Sequence, residues 1–319
     1  MAEARAALKA VDRVEITTLV DNSIDVFLPS TKEIRRAQVP SNLPWGERKS
    51  LVSEHGYSAL VSVQTGEHSA SLLFDAGVST DALIHNMDVL EIRPQELHSI
   101  VLSHGHVDHT QGLLGMIKRL GKRRMPILLH PDAFLNRKVI LPDKHELHSP
   151  APNRRLLEQE NIEFVEERGC SYLLDGMVLV TGQIHRTSKF EKGFPIHYSE
   201  IDGTWQSDPL IHDDQALVVN VREKGLVVMN RLRSRGRDQF HSLCAKTHGR
   251  RKGLRDAWRA APDRRCFRTD HCSNLGGFEG HCSTTCDAWT LHGLESHSRI
   301  CTRVSRSVCA RKCGHSLGH

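Results

Sequence analysis

The sequence predicts an α/β fold of packed layers for its first 229 residues. Short runs rich in β-branched residues alternate with segments in which apolar residues recur at helical spacing, and such alternation is typical of helices packed against a sheet. A cluster of histidines and an aspartate follows one of the predicted strands directly. At 319 residues, the chain is long enough for one large domain or two ordinary ones.

The first predicted strands form a β-meander. Residues 14–27 begin as a strand and break at Asp21-Asn22, where a turn is expected. Residues 57–63 and 71–74 are strands around the polar turn 64–68. The later predicted elements are a helix over 80–90, a strand over 99–103, a helix over 110–120, a strand over 125–130, a helix over 154–162, an extended run over 163–166, a hairpin over 172–180 around Asp175-Gly176, and paired strands over 216–221 and 225–229.

The segment His104-Gly105-His106-Val107-Asp108-His109 places four potential metal ligands directly after a predicted strand. His104 and His106 alternate on an extended segment and project to the same side, where two imidazoles can share one metal. Asp108 and His109 then face a second metal or complete the shell of the first. A single loop histidine is usually an ordinary surface residue, but four ligands packed this tightly predict a metal site.

Asp75 is a candidate supporting residue for this site. It follows the predicted strand that ends at Phe74, and a carboxylate there can orient a ligand histidine or hold a metal-bound water. The alternative is an aspartate that only caps a turn or a helix.

Charge and cysteine divide the chain near residue 230. Residues 230–319 contain 18 Lys and Arg against 7 Asp and Glu, whereas the first 229 contain 25 against 31. Cys170 is the only cysteine before residue 230, and we expect it to be a buried packing residue. An acidic protein therefore carries a basic, cysteine-rich tail.

The sequence contains no apolar stretch long enough to span a membrane, and its N-terminus lacks the apolar segment of a signal peptide. We therefore expect a cytoplasmic protein with no membrane partner.

The histidine motif together with Asp75-Ala76-Gly77 resembles the metallo-β-lactamase superfamily, which implies an αβ/βα sandwich for residues 14–229. Further strings resemble the branch that contains dihydropterin-phosphate synthase-type enzymes and related metal-dependent hydrolases. Those strings are Glu54-His55-Gly56, Thr181-Gly182-Gln183-Ile184, Phe190-Glu191-Lys192-Gly193 and Asp213-Asp214-Gln215-Ala216-Leu217.

The resemblance implies that the ligands are shared between two metal ions. His104 and His106 would bind one metal, and Asp108 and His109 the other, with a bridging water whose pKa the two cations lower. Asp108 would also orient this nucleophile and is the candidate catalytic residue. The implied cofactor is two divalent ions, zinc before iron or manganese. The implied substrate is a small molecule bearing phosphate or pyrophosphate, either hydrolysed or used in a transferase reaction. His185 stands where this branch is expected to have proline, so we expect a surface histidine there.

The family also requires two later histidines, which the chain as written lacks after Met229. Codons for residues 230–244 can be chosen, with their third bases free, so that reading them one base later gives the sequence TGCGHAGVINSILYA. This sequence contains the first missing histidine. Residues 258–262 similarly become GGLHL. We interpret residues 230–319 as an off-frame, disordered translation joined at Met229-Asn230, which leaves the second half of the sandwich incomplete.

Two other interpretations stay open. In one, the tail is a basic module that binds zinc or nucleic acid. In the other, the tail is off-frame and the chain has no activity, because its metal site lacks ligands. The pairs Cys282-x3-Cys286 and Cys309-x3-Cys313 lack the paired knuckles of zinc fingers, and no aromatics interleave the arginines. Nucleic acid is therefore not favoured as a partner.

Overall fold

The computed structural model describes residues 8–37, 44, 49–121, 124–186 and 192–230, and the backbone of 289–291. The sixteen strands of the described residues form three sheets, with a few short helices around them. The strands are β1 (Ala10–Val11), β2 (Arg13–Val20), β3 (Ser58–Thr65), β4 (His68–Phe74), β5 (Leu97–Val101), β6 (Met125–Leu129), β7 (Arg137–Ile140), β8 (Glu146–Ser149), β9 (Ile162–Glu166), β10 (Ser171–Leu173), β11 (Val178–Val180), β12 (His197–Ile201), β13 (Thr204–Ser207), β14 (Leu217–Val221), β15 (Gly225–Met229) and β16 (Trp289–Leu291). The α-helices are α1 (Thr80–Val89), α2 (Val107–Thr110), α3 (Leu113–Leu120) and α4 (Arg154–Glu158).

The first sheet has the order β2-β3-β4-β5-β6-β9. Strands β2, β3 and β4 are antiparallel, so the predicted meander is confirmed. Strands β4, β5, β6 and β9 are parallel, which places their carboxyl ends at one edge of the sheet. The chain leaves β4, β5 and β6 at this edge through Asp75, Ser103 and His130 respectively.

The second sheet has the order β10-β11-β14-β15-β16, and β1 also pairs with β14. The hairpin around Asp175-Gly176 and the pairing of the predicted strands 216–221 and 225–229 are both present. The small sheet has the order β13-β12-β7-β8 and is antiparallel throughout.

Alternating side chains divide the apolar residues into separate cores. On β3, Val61 faces the second sheet, while Leu60 packs towards the helices. The core between the first sheet and the helices includes Leu83, Met87, Leu113, Met116, Ile117 and Leu157. The core between the two sheets includes Phe74, Val101, Val178, Leu217, Val219 and Met229. The result is a layered α/β fold, as the sequence predicts.

A third apolar cluster lies on the other face of the second sheet. It includes Leu179, Val218 and Val228, and no helix of the described residues contributes to it. The predicted off-frame segment lies outside the described residues, apart from Asn230 and β16, which pairs in parallel with β15.

Three sequence predictions need correction. The helix predicted over 110–120 begins only at Leu113, because Thr110 ends α2 and residues 111–112 form a turn between α2 and α3. The helix over 154–162 ends at Glu158, since Ile162 already begins β9. Cys170 is exposed rather than buried, because it lies in the connection between β9 and β10. No helix in the described ranges is both long and apolar enough to cross a membrane.

Gly115→Ala is expected to destabilise the protein, because a Cβ at Gly115 would overlap the side chain of Thr80 where α3 crosses α1. Overpacking of this kind costs about 1–3 kcal/mol. Urea unfolding measures the loss. Gly169→Ala is the control, since its nearest neighbour is the end of the Glu167 side chain at 3.3 Å. Equal stability of the two variants would contradict this account of the helix packing.

Candidate metal centre

The four predicted metal ligands lie in one loop, which we call the histidine loop and define as residues 103–109. It begins two residues after β5 and runs into α2, whose first residue is Val107. Gly105 is tightly enclosed, because a Cβ there would overlap the Ala133 carbonyl and the Arg137 side chain. Any larger residue would therefore push the loop away from the sheet edge.

The loop gathers three imidazoles. The ring centroid of His104 lies 4.8 Å from that of His106 and 4.3 Å from that of His109. All three histidines are buried. The Nε2 atom of His109 lies 3.2 Å from the Asp108 carboxylate. The four predicted ligands are therefore brought together in one cluster.

The fully buried carboxylate of Asp75 lies behind this cluster. It accepts hydrogen bonds from the Ser103 amide at 2.7 Å and the Ser103 hydroxyl at 2.8 Å. It also bonds the Nδ1 atom of His109 at 2.7 Å. Since a carboxylate only accepts, His109 carries its proton on Nδ1 and turns Nε2 towards Asp108.

The same reasoning sets the tautomer of His104. The single proton of the Ser103 hydroxyl goes to Asp75, so Ser103 Oγ must accept from the Nδ1 atom of His104, 2.9 Å away. The Nε2 atom of His104 is then left with a lone pair. Asp75 therefore orients one histidine directly and another through Ser103.

Burial lowers the pKa of both His104 and His106 well below 6.5, and nearby positive charge lowers it further. Both imidazoles are therefore neutral at pH 7, which is the form that binds metals. Burial also lowers the pKa of His109, but Asp108 and Asp75 outweigh it and raise that pKa to about 9. Burial raises the pKa of Asp108, but His109 outweighs it, so the net shift is downward. A proton thus lies between Asp108 and His109, where a cation would replace it.

The small sheet contributes residues that the sequence motifs did not identify. Its Ser149 hydroxyl accepts the Val107 amide at 3.1 Å, and the His197 ring lies 5.1 Å from the His106 ring. The buried Nδ1 atom of His197 makes no hydrogen bond within the described structure. His197 is distant from the motif in sequence, and no spacing rule connects the two. His55 also lies close, with Nε2 3.6 Å from the Asp108 carboxylate.

The segment before β14 closes the other side of the histidine loop. The Asp213 carboxylate accepts the Gly105 amide at 2.7 Å. Gln215 donates its side-chain amide to the Leu102 carbonyl at 2.7 Å and its backbone amide to the Ser103 carbonyl. The string from Asp213 to Leu217, noted in the sequence only as a resemblance, is thus part of the site. His185 is exposed, as expected.

The donor set fits divalent metals in its chemistry. Neutral imidazoles and an ionised carboxylate are the ligands that zinc prefers, and the hydrogen bonds from Asp75 and Ser103 leave Nε2 atoms available. In the described ranges, however, no three His, Cys, Asp or Glu side chains are already placed to hold a metal ion.

The fold and this loop together define an α/β sandwich with a candidate metal-binding edge, and comparison with known proteins assigns its class. Residues 56–182 match the family model of the metallo-beta-lactamase superfamily. This part of the chain is similar to that superfamily, and the layered α/β sandwich described above is the metallo-beta-lactamase fold.

Two relatives from Methanocaldococcus jannaschii are similar to the chain. One is 7,8-dihydropterin-6-methyl-4-(beta-D-ribofuranosyl)-aminobenzene-5'-phosphate synthase, 31% identical over 58% of this chain and 63% of the relative. The other is an uncharacterized protein, 30% identical over 45% of this chain and 52% of the relative. The chain thus spans less than two thirds of each relative's length. A solved N-acyl homoserine lactone hydrolase covers 80% of this chain and 92% of its own, with 13% identity and a TM-score of 0.37, which is too low to bear on function.

The metal-free protein is expected to be most stable near pH 6.5, the ordinary pKa of histidine. Below this pH, the histidines of the unfolded chain bind protons, whereas buried His104 and His106 of the folded protein stay neutral. The free energy of unfolding therefore falls as the pH falls. Above it, the contribution of protonated His109 is lost as the pH rises through about 9. Urea unfolding of chelator-treated protein between about pH 5 and pH 10 measures both limbs.

His109→Gln should remove the alkaline limb and keep the acid limb. His185→Gln, which changes an exposed histidine, should leave the profile as it is. An unchanged alkaline limb in His109→Gln would contradict the assigned role of His109.

Proposed function

We propose that this protein is a metal-dependent hydrolase that acts on a small molecule bearing phosphate or pyrophosphate. His104, His106, Asp108 and His109 are the proposed ligands of two divalent cations, with zinc before iron or manganese. The observation that carries the proposal is the gathering of three buried imidazoles and Asp108 in front of the Asp75 carboxylate. The phosphorylated substrate is inferred from the name of the similar synthase.

The proposed roles of the residues follow from their contacts. Two bound cations would activate a water and stabilise negative charge on the attacked phosphoryl group. His104 offers Nε2, because Ser103 holds its Nδ1 proton. Asp108 would bind a cation and, as the proposed catalytic residue, would orient the attacking nucleophile. Asp75 is a positioning residue, since it acts through His109 and Ser103.

A transferase reaction of the dihydropterin-phosphate synthase type is the second candidate. The 31% identity to a protein named as that synthase favours it. The two candidates differ in the acceptor: hydrolysis transfers the group to water, whereas a transferase joins it to a second substrate. Product analysis by mass spectrometry in ¹⁸O-labelled water separates them, because only hydrolysis must place the label in the product.

We further propose that the enzyme domain ends at Met229 and that residues 230–319 are an off-frame translation. The histidines that the family would supply after this point are then absent from the polypeptide. The chain as written would hold metal weakly and have little or no activity. The basic zinc or nucleic-acid module is the alternative for this tail.

Deleting one base at codon 230 should restore metal binding and activity, because it would return the later ligands to the chain. The measurement is bound zinc by atomic emission, together with hydrolysis of bis(p-nitrophenyl) phosphate, for the chain as written and for the version with the deletion. Equal zinc content and equal activity in the two would overturn the off-frame proposal. Zinc-dependent binding of the unaltered chain to DNA would instead favour the basic module.

Asp75→Asn should weaken zinc binding by about 10- to 100-fold, the usual effect of removing a group that orients a metal ligand. Competition with a chromophoric chelator measures this, in whichever version of the chain binds zinc. Asp12→Asn is the matched control, since it removes an exposed carboxylate that pairs with Arg222 at 2.8 Å. Equal zinc affinity in Asp75→Asn and the unaltered protein would remove Asp75 from the site.

A further inference from the structure

A buried ion pair lies directly beneath the histidine loop. The Nη2 atom of Arg137 lies 2.9 Å from the Asp213 carboxylate, and their side chains are 2% and 0% exposed. Arg137 begins β7 of the small sheet, whereas Asp213 precedes β14 of the second sheet. The pair therefore joins the small sheet to the segment before β14 next to the histidine loop.

Both partners also contact the loop or the segment beside it. Asp213 accepts the Gly105 amide at 2.7 Å through its other carboxylate oxygen. Arg137 donates to the carbonyls of Leu135 at 3.1 Å and Asp132 at 2.8 Å. Gly105 lies against the Arg137 side chain so closely that no Cβ fits between them. The loop backbone at Gly105 is thus held from below by both charges.

A buried ion pair is weak evidence for stability, since apolar residues of similar volume often serve the fold as well. In this protein, the pair has a specific effect on the backbone of the histidine loop. The carboxylate holds one backbone amide between His104 and His106, and the guanidinium holds the carboxylate in place. This contact thus fixes the loop backbone between the two histidines on either side of Gly105.

We propose that Arg137 and Asp213 are positioning residues of the histidine loop, which set the placement of His104 and His106 through the Gly105 amide. The proposal rests on the proposed function only in treating that loop as the metal site. Its mechanical part concerns the loop alone and is measurable without any metal.

Hydrogen–deuterium exchange of the full chain tests this part. Asp213→Asn is nearly isosteric and removes the charge, and Arg137→Lys retains a charge but cannot bond Leu135, Asp132 and Asp213 together. Each variant should weaken the hold on the Gly105 amide, Asp213→Asn by making its acceptor neutral and Arg137→Lys by loosening the ion pair. Exchange in peptides covering the histidine loop should therefore be about tenfold faster. Peptides from β3 and β4 belong to the same sheet as β5, the strand that precedes the histidine loop, but contain neither member of the ion pair. Their exchange rates should not change.

Arg168→Met is the matched control. Arg168 pairs with Asp132, in the segment that Arg137 also contacts, but it has no hydrogen bond or ion pair to residues 103–109 among the described contacts. This variant should leave exchange in the histidine loop unchanged.

Faster exchange confined to the histidine loop in both test variants supports the proposal. Unchanged exchange in the loop overturns it. So does an equal rise in β3 and β4, or a loss of structure in both variants, since the pair would then serve the whole fold. A zinc titration of the same variants adds a second readout, with at least about tenfold weaker binding expected. Failure of the unaltered and base-deleted chains to bind zinc would refute the proposed function alone and leave the exchange result valid.

Discussion

The buried carboxylate of Asp75 is the interaction on which the candidate site depends. A carboxylate without exposure is very unfavourable unless donors surround it, and Asp75 has the Ser103 amide, the Ser103 hydroxyl and the His109 imidazole. The parallel register of β4 and β5, which pairs Phe74 with Val101, brings these donors beside it. Sheet geometry and burial thereby determine which nitrogen of His104 and His109 faces the site.

The second half of the described chain completes the surroundings of the histidine loop without adding a motif of its own. Asp213 and Gln215 bond its backbone from one side. Ser149 and His197, on the small sheet, approach it from the other. The loop is therefore enclosed by all three sheets, although the histidine motif itself comes from a single connection after β5. The resulting burial lowers the pKa of His104 and His106 and keeps both imidazoles neutral.

The protonated His109 balances the charge of the two carboxylates in this cluster. Three imidazoles and two carboxylates in a buried cluster cannot all remain in their ordinary charge states. Burial keeps His104 and His106 neutral, whereas the paired carboxylates keep a proton on His109. The charge that balances Asp108 and Asp75 is then a proton, and a metal ion would replace it at the same place. Metal binding and proton release are therefore expected to be linked.

The sequence by itself predicted most strands of the two large sheets, three of the four helices and the cluster of four candidate ligands, because those features depend on local spacing. It predicted none of the four strands of the small sheet. It could not determine that Cys170 is exposed, since exposure depends on what lies nearby in space. The placement of His197, Arg137 and Asp213 was decided by the tertiary structure alone. These residues are far from the motif in the chain, and only strand pairing and burial bring them to it.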